Sequence, residues 1–226
     1  MDWQALLLSL RLAVVTTLVL LAVACPLGWW LSQPAFGWRA RFRSLAEAIT
    51  SLPLVLPPTV LGFYLLVLLG TSTAPGRWLT HILGHPLAFS FTGLVIGSAF
   101  YSLPFAIQPI VGGFTSISQT LFDTAAVLGA GPWQRFWRVG IPLARPAFLR
   151  AAVLVFTHTI GEFGVVLMIG GNIPGSTRTL SIALYDQVQN FDYSAATHTS
   201  LVLICLSLAG LLALYSGDRR HRSRLA

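Results

Sequence analysis

Lysine is absent from this chain, and only 7 of its 226 residues are Asp or Glu. A P-loop of the form GxxxxGK[ST] cannot be written without lysine, so ATP hydrolysis through such a loop is excluded from the chain itself. HExxH, CxxC and GxSxG are missing too, and no paired carboxylates are spaced for acid–base work. An enzyme reading has almost nothing to stand on. Charged residues make up 9% of the chain, against about a quarter in soluble domains, which excludes an ordinary water-soluble fold. The two cysteines, Cys25 and Cys205, imply no disulfide framework. Both fall within apolar runs and are expected to be small buried hydrophobes. Internal repeats and low-complexity segments are also lacking.

Apolar residues fill the space left. The chain is 55% hydrophobic with a mean hydropathy of +0.74. About 20 apolar residues are needed to cross a bilayer as a helix. Five runs reach that length, at about 6–30, 48–70, 89–110, 147–170 and 195–215. The "LAVAC" of Leu21–Cys25 resembles a signal cleavage site. However, Asp2 stands where a basic start is needed, Arg11 comes late, and the run continues to Trp30, so an uncleaved span is expected.

Arginine alone carries the net charge of +7. Arg39, Arg41 and Arg43 follow the first run. Arg135, Arg138, Arg145 and Arg150 lie between or beside the third and fourth. Arg219, Arg220, Arg222 and Arg224 follow the fifth, and the opposite side has only Arg11, Arg77 and Arg178. The positive-inside rule then predicts an outside N-terminus and a cytoplasmic C-terminus. Arginines gathered at the ends of apolar runs express topology, so lipid is an expected partner and nucleic acid is not. Of the outer segments, 71–88 reads as short and turn-rich, and 171–194 as turns with a short helix.

The cytoplasmic stretch 123–146, "DTAAVLGAGPWQRFWRVGIPLARP", interrupts the apolar runs. Asp123 suits the first turn of a short helix over Thr124–Leu128. Gly129 and Gly131 break it, and Pro132 suits the first position of the next helix. There Trp133, Phe136 and Trp137 recur at i, i+3, i+4 and make one aromatic face. Pro142 and Pro146 are expected to stop this helix before the fourth span. The aromatic face fits either the bilayer headgroups or a groove in a cytosolic partner.

Asp123-Thr-Ala125, Gly129 and Val139-Gly-Ile141-Pro142 resemble the EAA motif of bacterial ABC importer membrane subunits: E-A-A, three residues, G, nine residues, I-x-L-P. The spacing matches throughout. Asp replaces Glu, Thr124 replaces the first Ala, and Val/Ile replace Ile/Leu. The resemblance implies a coupling helix at 121–140 that sits in a cleft of an ATP-binding subunit, with Asp123, Ala125, Gly129, Trp133, Phe136, Trp137, Val139 and Pro142 at the contact. "LPLVLPPTVLGFYLL" from Leu52 to Leu66, "GEFGVVLMIGGNIPGSTRTLSIALYD" from Gly161 to Asp186 and the opening "WQALLLSLRLA" are similar to the molybdate permease family. Related sulfate permeases share parts of these stretches but typically carry an extra span.

Inside the spans, Glu162 is an ionisable group at membrane depth, and such groups are expensive unless functional. It fits a structural or gating role beside Gly161 and Gly164, or a direct contact in transport. His158, four residues earlier, is its expected partner. Pro53, Pro57 and Pro58 free backbone carbonyls and suit a hinge. Thr59, Ser98, Tyr101 and Ser102 offer hydroxyls that could line a pathway or pack between helices. The candidate pathway or gate is therefore Pro57, Pro58, Thr59, Ser102, His158 and Glu162, with no catalytic residue, metal or cofactor.

The expected architecture is an all-α integral membrane protein of about five spans. It forms one transmembrane domain over 1–226, with its core at about 6–215, in the type I importer (MetI-like) fold. The resemblance implies a multi-pass permease of the bacterial inner membrane that moves molybdate. Its partners would be two ATP-binding subunits, a second copy of itself and an extracytoplasmic molybdate-binding protein. Tungstate and sulfate or thiosulfate are alternative cargoes. A stand-alone secondary transporter, which would usually show two related halves, and an intramembrane enzyme are the rivals.

Overall fold

The structure, a computed structural model, describes residues 2–34 and 36–222, with side chains as far as Tyr215. Every regular element among them is helical. Helix α1 is Trp3–Ser32, started by Asp2, whose side chain accepts from the Ala5 N–H. Helix α5 is Phe91–Thr115, capped in the same way by Ser90. Both are apolar, and with Pro132–Gly161 and Tyr193–Tyr215 they make four helices long enough to cross a membrane.

The second apolar run is not one straight span. Helix α2, Trp38–Ser51, continues through a 3₁₀ turn at Leu52–Leu54, and α3 is Pro58–Leu69. Between them the chain bends by 110°. Pro58 pushes the residue before it out of the helical region, and Pro57 accordingly sits at φ −56°, ψ 135°. Counted as one broken span, the pair raises the total to five. The segment after it is more ordered than its turn residues suggest. Thr73 caps a helix α4, Ala74–Leu83, which Gly84 closes in the left-handed conformation.

The fourth span also departs from expectation. Helix α6, Gln119–Val127, precedes Gly129, and α7 is Pro132–Arg135. A π-helical turn, Phe136–Gly140, joins α7 directly to α8, Ile141–Gly161. Pro142 and Pro146 therefore do not end the helix. Pro142 falls in the first turn of α8, straight after the widened π turn, where its missing N–H is tolerated. The break comes later, at Glu162 and Phe163, after which α9 is the short helix Gly164–Gly170. Helices α10, Leu180–Gln189, and α11, Tyr193–Arg222, complete the chain.

Helices α1, α5 and α8 pack most extensively. Their shared core holds Leu20, Ala24, Ile107, Ile110, Ala144, Ala151 and Val155. Small residues set the spacing: a Cβ at Gly113 would lie 2.3 Å from that of Ala147, and one at Gly28 would lie 2.6 Å from Ile110 Cγ2. Close backbone approach of this kind is what packs helices where no hydrophobic effect acts between them. Helices α3 and α9 meet similarly, Gly62 against Met168 and Gly164 against Pro58. Cys25 is half-buried and Cys205 exposed, both as free thiols. The expectation that both are buried is thus corrected for Cys205, which lies on a little-buried side of α11.

Candidate functional site

Where α3 begins and α8 breaks, the chain surrounds an open cavity of about 570 Å³. Pro58, Thr59, Tyr101, Thr157, His158, Gly161, Glu162, Phe163 and Gly164 line it. Two interrupted helices thus meet at one place, and a Cβ at Gly164 would come 2.7 Å from the Cβ of Pro58. Helix interruptions that face a cavity are the form in which irregular backbone is tolerated at membrane depth.

Four of the six expected pathway residues, Pro58, Thr59, His158 and Glu162, share this wall. Pro57 caps α3 without lining the cavity. Ser102 stands behind it, with Oγ 2.9 Å from His158 Nδ1 and 3.3 Å from Thr159 Oγ1. The His158 ring is further fixed by stacking on Phe105 at 4.1 Å and by Tyr101 at 5.0 Å. The expected His158–Glu162 pair is therefore not made: the α8 helix ends at Gly161, so Glu162 leaves the helical i, i+4 register. Glu162 is 4% exposed, and among the described residues neither carboxyl oxygen makes a hydrogen bond of ordinary length. The Ser98 hydroxyl is the polar group that faces it. Tyr101, one of the hydroxyls expected to line a pathway or pack between helices, is in the wall, and Thr157 and Phe163 join it only through the fold.

Glu162 is held through its backbone. Ser181 Oγ donates to its carbonyl oxygen at 2.5 Å, and Thr179 Oγ1 lies 2.9 Å from Ser181. The 171–179 loop that supplies these groups is tied down along its length. Thr177 Oγ1 donates to Gly170 O at 2.6 Å and accepts from Ile173 N at 3.3 Å. Arg178 donates to Asn172 Oδ1 at 2.6 Å and to Asp186 Oδ2 at 2.5 Å, and Asn172 closes the triangle onto Asp186 at 2.6 Å. The Leu180 N–H donates to Ser9 on α1. The polar run Gly171–Thr179 is thus a brace between α1, α9 and α10.

The stretch 121–140 lies near the end of the bundle where α1 terminates. Trp29 joins Phe114, Phe122 and Phe136, with ring centroids 5.2–5.4 Å apart, and so anchors α6 and α7 to the spans. Asp123 is the fifth residue of α6, not in its first turn, and its Oδ1 accepts from Gln119 Nε2 at 3.2 Å. The expectation that it faces a helix N-terminus is therefore corrected, because α6 starts four residues earlier. Gly129 has φ +84° and ends the helix as expected.

The aromatic face divides. Trp133 and Trp137 are 70% and 50% exposed, whereas Phe136 is 5% exposed and points into the chain's own core. Ala125, Val139 and Pro142 are half-buried. The most exposed apolar side chains of the stretch are Val127 and Leu128, at 88% and 82%. The aromatic spacing does not single them out. Their signal was two bulky aliphatics placed directly before a glycine turn in a polar loop.

Residues 24–225 match the family described as binding-protein-dependent transport system inner membrane component. The chain belongs to that family. It is 48% identical over all 226 residues to the molybdenum transport system permease protein ModB of Azotobacter vinelandii, covering 97% of that protein. To ModB of Escherichia coli K12 it is 34% identical over 212 residues, covering 93% of this chain and 91% of the other. Among solved structures, one of the MetNI methionine ABC transporter superposes with a TM-score of 0.73 at 16% identity, over 98% of this chain and 95% of the other. The last likeness establishes the fold: this inner-membrane permease has the architecture of ABC importer membrane subunits, and that family works with ATPase and binding-protein partners.

Proposed function

We propose that this permease moves molybdate inward in an ATP-driven importer. Two copies form the pathway at their shared interface, and two separate ATP-binding subunits dock on the cytoplasmic face. An extracytoplasmic binding protein delivers the anion. The N-terminus lies outside and the C-terminus in the cytoplasm, and residues 1–226 act as one transmembrane domain with 121–140 as its coupling segment. The observation that carries the cargo assignment is the 48% identity, over the whole chain, to a molybdenum transport permease.

The cavity chemistry supports an anion that passes without being trapped. Among the described residues its wall offers the hydroxyls of Thr59 and Tyr101 and the ring of His158, and no arginine, while the Thr157 hydroxyl donates back to Val153 O. An acid such as Glu162 is a poor oxyanion ligand, which keeps residence short. Conduction requires binding weak enough to release, so discrimination against sulfate falls mainly to the binding protein. Pro57 and Pro58 give the hinge of the α2–α3 break, and Ser102 holds His158 in place.

At the cytoplasmic face, Asp123, Gly129, Trp133 and Trp137, together with Val127 and Leu128, present the docking surface. Ala125, Phe136, Val139 and Pro142 shape the backbone that carries it. ATP binding draws the two knobs together, and the continuous helix from Pro132 to Gly161 transmits that movement to the break at Glu162. ATP hydrolysis itself belongs to the separate subunit.

The test is uptake of radioactive molybdate into proteoliposomes holding the permease, its ATPase and the binding protein. Uptake should require all three and ATP, with tungstate competing nearly as well as molybdate and sulfate poorly. Equal competition by sulfate would replace the cargo assignment. Uptake without the ATPase would replace the importer reading with a secondary transporter.

A further inference from the structure

Helix α2 carries an apolar face that the described chain leaves mostly uncovered. Trp38, Phe42, Leu45 and Ile49 recur at i, i+4, i+7 and i+11, so they share one side. They are 74, 56, 55 and 59% exposed, and Phe36 just ahead of the helix is 86% exposed. Only the Phe42 ring meets α1, edge-on to Trp30 at 5.8 Å; the side that α2 turns toward the protein is otherwise a different one. Thr50 is buried, Ala46 packs on the main core, and the Arg43 guanidinium lies 5.4 Å over the Trp30 ring.

The charges are placed around that open face. At 100° per residue, Arg39 lies about 90° to one side of its centre and Arg41 about 70° to the other, with Glu47 roughly opposite. Arg39 and Arg41 are exposed and form no ion pair among the described residues. The helix is also kept near a membrane surface. Only residues 33–37 separate it from the end of the α1 span, a tether of at most about 18 Å. The 110° bend after Leu54 takes α2 well off the axis of α3.

We propose that α2 is an interfacial helix that binds anionic phospholipid. Trp38, Phe42, Leu45 and Ile49 enter the boundary between headgroups and acyl chains, and Arg39 and Arg41 hold headgroup phosphates on either side. An amphipathic helix with a cationic rim is the sequence form that lies in this zone, and anionic headgroups are the complement to its charge.

The test uses the full-length chain in lipid nanodiscs, with Cys25→Ala and Cys205→Ala. A bimane label is placed at Leu45→Cys or, on the opposite side, at Glu47→Cys. Brominated lipids should quench the label at 45 several-fold more than the one at 47. Brominated phosphatidylglycerol should quench the label at 45 more strongly than brominated phosphatidylcholine at equal mole fraction. Arg39→Gln with Arg41→Gln should remove that lipid preference and leave the contrast between 45 and 47. Equal quenching at both positions, or none at 45, overturns the membrane placement. No preference for the anionic lipid, or a preference that survives the double substitution, overturns the headgroup assignment. Protection of the label at 45 together with disulfide cross-linking of Leu45→Cys between copies would give the face to a second copy of the chain instead.

Discussion

Glu162 shows how much one residue's role depends on where its neighbours stop being helical. Among the described residues its carboxyl oxygens face only the Ser98 hydroxyl, while His158 Nδ1 is taken by Ser102. Glu162→Leu therefore gives up at most the contact with the facing Ser98 hydroxyl, and the yield of folded protein in detergent should stay close to that of the parent. ATP-coupled uptake should fall with Glu162→Leu and be spared by Glu162→Gln if only polarity in the wall matters. Loss of folded protein in Glu162→Leu would assign the residue a structural role. Ser102→Ala should instead cost about 1 kcal/mol of stability, the scale of one lost hydrogen bond, visible as a lowered melting temperature. Gly129 is the other position where a single residue decides, because at φ +84° it holds a conformation that side chains adopt poorly. Gly129→Val should strain the turn by about 1–2 kcal/mol and reduce capture of the ATPase by about tenfold, equivalent to 1.4 kcal/mol of binding. Gly129→Asn should be milder. Equal capture by both variants and the parent would remove the turn from the docking surface.

Among elements, the 171–179 loop and the α8–α9 break are one unit. Thr177 is fully buried and bonds in two directions, to Gly170 O and from Ile173 N. Thr177→Val keeps the shape but leaves both backbone groups unsatisfied, at a cost of about 1–3 kcal/mol. Thr177→Ser should recover most of that loss, and thermal unfolding of the two variants in the same detergent makes the comparison. The surface side of the brace is weaker. Arg178 and Asp186 side chains are 27% and 28% exposed, and a double-mutant cycle across them should give about 1 kcal/mol or less because water screens the pair. A much larger coupling would mean that the loop closes over the pair more tightly than its exposure indicates.

For the whole molecule, the sidedness proposed from arginine placement predicts opposite labelling of two loops. In intact cells of a strain expressing the chain without Cys25 and Cys205, Ser176→Cys should react with a membrane-impermeant maleimide. Leu128→Cys, 82% exposed in the chain alone, should react only after permeabilisation. It should then be shielded when the ATPase is bound. Labelling of Leu128→Cys from outside would invert the topology and with it the placement of the coupling segment.

Composition and run length determined that this chain lives in a membrane as a bundle of about five helical spans. The motif at Asp123–Pro142 carries the resemblance to the importer family in its spacing alone. Those features are local or additive: apolar residues are counted along the chain, and a glycine turn is set by its own dihedral angles. The α2–α3 break was partly legible, because Pro57 and Pro58 act on their immediate neighbours. What only the tertiary structure decided depends on residues far apart in sequence. The π turn lets Pro142 remain inside a continuous helix. Trp29, more than a hundred residues earlier in the chain, draws Phe136 inward. Ser102 takes His158 away from Glu162, and the meeting of α3, α5, α8 and α9 makes a cavity from side chains that no single run contains. Helical periodicity says which side chains share a face, but not which neighbour that face will meet.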